Sequence, residues 1–470
     1  MTGKTDLARY RTLQLVMAAC LLVQLGGCAI EDPPGQRAVL DQALPPTTTI
    51  PRNWSAKSAN PAAVDQGWVS TFNDPTLTSL VKEANANNLN LQATAARVDA
   101  AREALVIVGA PLFPAVSLDV SGKDTHDIGA NETFKHHGGK LNVSWELDIW
   151  GRVRSGQAAS TAGYEAAAED EAFARLSVAA LVARSWYVNS EWLQRIELAK
   201  QEILIYSSLL KIVREKRKAG QVDLIDVYQA EASVKAAQVG LVGAQEKSST
   251  AIRSLEILLG RYPSQELKAK ARYAKAPPEV PAGLPASLLS RRPDVLASER
   301  LVVAAFYNVQ VAKLSMLPAI SLTGRAGRLV DPGLSLLGLS PDFYQLGANL
   351  LQPIFEGGAL QAQVRVASAE QRAAVASYGQ AVLLAFKEVE TALANEDFFR
   401  RRLRYLDAEL KDRIETVRIA TEKYRAGNID LQSLLQFQEK RLAVQEEVIT
   451  AQGAILTNRI DLYLALGGSF

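Results

Sequence analysis

The chain has 470 residues, 52 basic and 50 acidic, with a net charge of +2 and a composition that is 48% hydrophobic and 22% charged. That length allows two or three domains. The near-neutral balance excludes the basic excess of a nucleic-acid binder, and the apolar content excludes a disordered chain.

The first residues read as an export signal. Lys4, Arg9 and Arg11 supply a positive end, "LQLVMAACLLVQL" is an apolar core too short to span a membrane, and "LGGC" closes it with small residues. Leu25-Gly26-Gly27-Cys28 resembles the bacterial lipoprotein cleavage box. Cleavage there removes residues 1–27 with Cys20 and leaves Cys28 to carry lipid; secretion after Gly27 with a free thiol is the alternative. Several acyl chains on one residue anchor stably where a single chain does not. In the resemblance to Gram-negative lipoproteins, Ala29 directs the protein to the outer membrane. The mature chain then has no second cysteine for a disulfide, so its stability rests on packing or assembly.

Residues 28–75, with "EDPPGQRAVLDQALPPTTTIP", have linker composition. After them the chain is written twice. "EKRKAGQVDL" at 215–224 returns as "EKYRAGNIDL" at 422–431, a shift of 207 that also carries Gly151 onto Gly358 and Gly260 onto Gly467; "FPAVSL" at 113–118 matches "LPAISL" at 317–322. The first repeat covers 76–260 and the second 287–467, joined by a Pro-rich linker at 261–286. Each predicts a helix (76–110; 293–317), a strand hairpin, a very long helix (151–218; 359–425) ending at Gly220 or Gly427, and a last helix (224–260; 431–466). Leu435, Leu442, Ile449, Leu456 and Tyr463 recur every seven residues, as paired helices require. The long helices span roughly 100 Å at ~1.5 Å per residue.

The hairpins are "PAVSLDVSG" with "KLNVSWELDIW", and "PAISLTGRAG" with "YQLGANLLQPIF". In the first, Leu141, Val143, Trp145, Leu147 and Ile149 alternate with Asn142, Ser144, Glu146 and Asp148. Nine alternating residues suffice for a tilted membrane-spanning strand. On that reading Trp145 faces lipid, Trp150 joins an aromatic girdle, and Asp119, Glu146 and Asp148 face the barrel interior. Interior carboxylates need water. Four strands cannot close a barrel, and open edges in lipid cost several kcal/mol per unpaired group, so copies must share one. Two copies give eight strands, which side chains fill; three give twelve and a wet bore. A soluble α+β protein with a small sheet would leave the long helices, the duplication and the lipid anchor unrelated.

The remaining motifs are plain. His126, His136 and His137 lie in the predicted external loop "KDTHDIGANETFKHHGG", read as exposed polar chain rather than a metal site; Arg400-Arg401-Arg402 reads as a solvated helix face. "GKT" at 3–5 lacks the preceding glycine of a phosphate loop, and the sequence holds no HExxH, no GxSxG and no metal-spaced cysteines. No cofactor and no catalytic residue is expected.

Residues 67–102 ("GWVSTFNDPTLTSLVKEANANNLNLQATAARVDAAR"), "LPASLLSRRPDV" at 284–295, the "ELDIWGR" and "PIFEGG" junctions and the repeated "AGxxDL" turns resemble the TolC-type outer-membrane factors of tripartite efflux pumps, in particular their NodT-like lipoprotein branch. The resemblance implies a mainly α protein with a small β part: a homotrimer with a twelve-stranded transmembrane barrel continuous with a periplasmic helical barrel. It also implies a periplasmic adaptor and an inner-membrane transporter as partners, with Gly220 and Gly427 at the tip turns where the adaptor docks. Family members commonly place an aperture-closing carboxylate nine residues beyond the tip glycine; here those positions are Gln229 and Gln436. Asp223, Asp226 and Asp430 are the candidate substitutes, and helix capping is an alternative role for Asp223 and Asp430. The expected function is a passive exit duct for drugs or other small solutes. A conduit for type I protein secretion and a non-conducting lipid-anchored coiled-coil scaffold are the alternatives.

Overall fold

The computed structural model describes residues 31–56, 67–129, 131–330 and 342–468. The expected signal segment and the expected lipidation site Cys28 lie outside them. The elements run α1 (Gln36–Ala43), α2 (Pro75–Asn87), α3 (Leu89–Gly109), β1 (Ala115–Asp127), β2 (Glu132–Leu147), α4 (Arg152–Lys218), α5 (Leu224–Leu258), a single turn α6 (Pro285–Leu288), α7 (Pro293–Leu314), β3 (Ala319–Val330), β4 (Asp342–Leu351), α8 (Ala359–Arg425) and α9 (Leu431–Ala465). The fold is mainly helical with one small sheet, and the order helix, hairpin, long helix, helix occurs twice. Helices α4 and α8 have 67 residues each, and α5 and α9 have 35 each.

Glycine geometry repeats with the sequence. Gly151 and Gly358 take positive φ (80° and 86°) where the chain enters α4 and α8. Gly220 and Gly427 do so beyond their ends (73° and 80°), and Gly260 and Gly467 beyond α5 and α9 (73° and 67°). All four helix ends close alike: Gln221 N–H donates to the Lys216 carbonyl, Asn428 to Lys423, Arg261 to Glu256 and Gly468 to Tyr463, each at 2.8–3.0 Å. This six-to-one bond satisfies an orphan carbonyl and needs a left-handed residue just before it, which glycine supplies without strain.

Two expectations are corrected. The helix expected over 76–110 breaks at Asn88, which leaves the helical conformation (ψ 123°). Its Oδ1 caps the next helix by accepting from Asn90 N and Leu91 N, while its Nδ2 donates to the Leu258 carbonyl at 2.8 Å. The loop expected around the three histidines is largely strand, for β1 reaches Asp127 and β2 begins at Glu132. Charged residues on both faces hide the alternation there.

The chain divides into two compact units. One comprises Met1–Pro46, Arg97–Ala168 and Ala297–Gly379 and contains the antiparallel sheet, in order β1-β2-β3-β4. In it α1 is tied to α7 by Gln36 Nε2 donating to Glu299 Oε2 at 2.8 Å, and Ala43 abuts Gly379, where a side chain would collide with its carbonyl.

The other unit comprises Thr47–Ala96, Glu169–Leu296 and Gln380–Phe470. Trp68 stacks on Tyr463 with centroids 5.6 Å apart and meets Phe72 edge-on; Phe72 packs on Tyr187. Asp74 caps α2 through Thr76 N and Leu77 N and accepts from Trp186 Nε1 at 2.8 Å. Arg292, 2% exposed, is bidentate to Asp294 and also donates to Glu388 and the Ala465 carbonyl. Arg459, equally buried, donates to Glu396 and the Pro278 carbonyl. Through these two charge-assisted bonds Arg459, on α9, holds the Pro-rich connector and α8 together.

Candidate functional site: a two-faced sheet and a pair of helix tips

Strand register decides which side chains share a face, since neighbours directly opposite project together. Ser117 pairs with Asn142, Asp119 with Lys140, Asn142 with Arg325, Ser144 with Thr323, Glu146 with Ser321, Ser321 with Asn349 and Arg325 with Gln345. These polar residues make one face. The other holds Val116, Leu118 and Val120 on β1, Leu141, Val143, Trp145 and Leu147 on β2, Ile320, Leu322 and Ala326 on β3, and Tyr344, Leu346, Ala348 and Leu350 on β4. In the single chain Leu118, Val120 and Leu346 are 72%, 78% and 82% exposed. Such a surface facing water would drive aggregation; facing lipid it is at rest.

Two of the three carboxylates expected in a barrel interior lie on the polar face. Asp119 stands 3.8 Å from Lys140 Nζ, both half exposed, and Glu146 accepts from Arg152 at 2.7 Å. Asp148 does not. It lies one residue past β2, where it accepts from Val153 N at 2.9 Å and Arg154 N at 3.0 Å and pairs with the Arg154 guanidinium. The first turn of α4 leaves these amides without helix partners, and Asp148 supplies them. Its alternation with Leu147 and Ile149 is therefore not strand pleating. Sequence reasoning passed over the cations of this face, Lys140 and Arg325; the offset between paired residues was their signal. Trp150 donates Nε1 to the Pro318 carbonyl at 2.7 Å, and Trp145 to Leu112 at 3.0 Å, each indole thus satisfied at the base of the sheet.

The two tip turns lie in the other unit. Lys216 Nζ donates to the Tyr424 carbonyl at 2.8 Å and sits 4.9 Å from the Tyr424 ring centre, so the turns at Gly220 and Gly427 are neighbours at one level. Behind them Leu209, Val213, Val227, Ala230, Tyr424, Leu431, Leu434 and Leu435 form one buried cluster. Asp223 and Asp430 precede α5 and α9 as their capping residues. Asp226 accepts from Asp223 N at 3.2 Å and Asp430 from Ser433 N at 2.8 Å; hydrogen bonding with the Ser433 side chain, and then with its backbone N–H, holds the Asp430 carboxyl below the usual range. Gln229 is half-buried and Gln436 exposed. Further along, burial pushes the Glu202 carboxyl up and the Tyr206 hydroxyl up to about 12, aided by the charges of neighbouring glutamates.

Among the described residues no group of His, Cys, Asp or Glu could hold a metal ion, and no helix is long and apolar enough to cross a membrane. The latter says nothing of strands. His126 lies on β1, and His136 and His137 on β2, where His137 pairs with Gly122 and His136 with Lys123.

The family described as outer membrane efflux protein matches residues 80–261 and 284–468, the two repeats in turn. The antibiotic efflux pump outer membrane protein ArpC of Pseudomonas putida is 31% identical over 98% of this chain and 96% of its own. The pyoverdine export outer membrane protein OpmQ of Pseudomonas aeruginosa is 30% identical over 97% and 96%. The solved structure of the outer-membrane channel OprN shares 27% identity and superposes with a TM-score of 0.82 over 93% of this chain and 99% of that one. With matching repeats, a whole-length fold in common and a sheet that has one lipid-compatible face, this chain belongs to the outer membrane efflux protein family.

Proposed function

We propose that the protein is the outer-membrane duct of a tripartite efflux system. It works as a homotrimer anchored by lipid on Cys28, and passively releases small solutes brought by an inner-membrane transporter through a periplasmic adaptor. The observation that carries this is the sheet: an apolar face on all four strands, a charged and amide face behind it, and free outer edges on β1 and β4 among the described residues. Strands β1 and β4 run in opposite senses, so β4 of one copy continues antiparallel onto β1 of the next. Three copies then close twelve strands around water.

The chemistry of relatives, whose names mention antibiotics and pyoverdine, supports small solutes over proteins as cargo. In this reading the tip turns at Gly220 and Gly427 receive the adaptor, and Asp223, Asp226 and Asp430, beside Gln229 and Gln436, line the closed aperture. The capping bonds of Asp226 and Asp430 fix their carboxylates at the helix starts and leave them exposed enough to meet a passing ion. Energy comes from the transporter, and the duct needs no catalytic group. The test is the protein mass of the detergent-solubilised particle, counted by native mass spectrometry. Three chains are expected; a single chain would remove the shared barrel.

A further inference from the structure

Charge is not evenly matched on the polar face of the sheet. Asp119 stands directly opposite Lys140, and Glu146 is taken by Arg152. Arg325, on β3, has Asn142 on one side and Gln345 on the other; it is exposed and has no ion-pair or hydrogen-bond partner among the described residues. Lys140 lies diagonally from it, because Lys140 pairs with Gly327, two residues further along β3. Diagonal neighbours stand roughly 7–8 Å apart, close enough for like charges to repel. The place between the two cations is bare by necessity, since a side chain at Gly327 would collide with the Gly139 carbonyl and the Lys140 backbone.

A contrast comes three residues later on the same strand. Arg328 belongs to the opposite face, in the row Val120, Gly139, Arg328 and Asp342, and there it is bidentate to Asp342 at 2.8 and 3.2 Å. The arginine of the apolar face is therefore neutralised and the arginine of the polar face is not. A guanidinium set between two carboxamides offers a planar fork with further N–H donors on either side. That donor set suits a carboxylate, a sulfonate or a phosphate.

Resting on the trimeric duct reading, whose cargo class it names, we propose that Arg325, with Lys140 beside it, forms a basic ring inside the barrel that binds anionic solutes through their acidic groups. Each copy brings these two cations to the ring against the single carboxylate of Asp119. Glu146 lies further along β2 and is offset by Arg152, so it does not cancel the ring. A water-filled passage with low-dielectric walls focuses the field of its lining charges, and a ring of arginines in such a wall favours anions over cations. Salt weakens the preference, because the Debye length falls from ~30 Å at 0.01 M to ~3 Å at 1 M.

Reversal potentials of the full-length protein in planar bilayers, under a potassium chloride gradient at low salt, test this. Arg325→Gln is expected to lower the chloride-to-potassium permeability ratio by about threefold. Arg328→Gln removes the same charge from the other face and is expected to leave the ratio at the parent value. Inositol hexakisphosphate is the second probe: it reduces current through the parent, and Arg325→Gln needs about tenfold more of it for the same block. Lys140→Gln moves both readings in the same direction and stands in should Arg325→Gln not assemble. A conducting channel in which Arg325→Gln leaves either reading unchanged, or in which Arg328→Gln moves the ratio as far, overturns the ring and leaves the duct standing. Assembled protein that never conducts overturns both.

Discussion

Gly220 and Gly260 end their helices with the same six-to-one bond at the same φ of 73°, but their surroundings differ. Nothing stands within 4 Å of a side chain built at Gly220, whereas one at Gly260 would lie 2.6 Å from the Asn87 carbonyl. Gly220→Ala should therefore cost about 1–2 kcal/mol from the left-handed backbone alone, and Gly260→Ala clearly more, measured as the shift in thermal midpoint of the solubilised protein. Asp430 gives a pH dependence. Its carboxyl lies below its ordinary value of 3.8 because it accepts from Ser433, so its contribution to stability is present above 3.8 and is lost as the pH falls through the lowered value. Asp430→Asn should shrink the drop in melting temperature between neutral and strongly acid solution; an unchanged drop would mean the cap contributes nothing. The glycines were legible because a shift of 207 superposes them. The role of Asp148 was not, because a residue capping a helix and a residue facing a bore obey the same polar pattern when only sequence spacing is read.

At the scale of elements, the sheet makes the sharper claim. Leu118 and Ser117 are adjacent on β1 and face opposite sides. Leu118→Lys should impair assembly in the outer membrane, since a cation on the lipid face near mid-bilayer costs ~2–4 kcal/mol, while Ser117→Lys should leave the heat-resistant assembled fraction near that of the parent. Equal effects would mean that the faces are not divided by lipid and water. Strand alternation exposed this division in "KLNVSWEL", where apolar residues are uninterrupted. It failed over 123–139, where charges occupy both faces and only backbone pairing shows that the hairpin continues. Asn88 is a similar case. It stands among asparagines at 85, 87 and 90, any of which could cap a helix, and what singles it out is its bond to the Leu258 carbonyl, a partner 170 residues away. Arg292 was visible only as part of a family motif, for its bonds to Glu388 and Ala465 join segments far apart in the chain. Removing that guanidinium by Arg292→Ala should lower the thermal midpoint, but by less than the loss of one partner of a fully buried pair, which costs roughly 3–5 kcal/mol. Asp294 and Glu388 remain 24% and 41% exposed, and only the Ala465 carbonyl is left buried without its donor.

For the whole molecule, the duplication and the long helices were readable from length and repetition, but the count of copies was an inference from closure: four strands are too few, and the two edges of the sheet run in opposite senses, so that one continues antiparallel onto the other. Polar residues on the concealed face then make sense only beside water, and water there makes a conduit. Purified protein added to a planar lipid bilayer measures that claim most directly. Discrete, reproducible single-channel steps are the outcome expected of an aqueous bore shared by three copies; a bilayer that stays silent while verified assembled protein is inserted would contradict it.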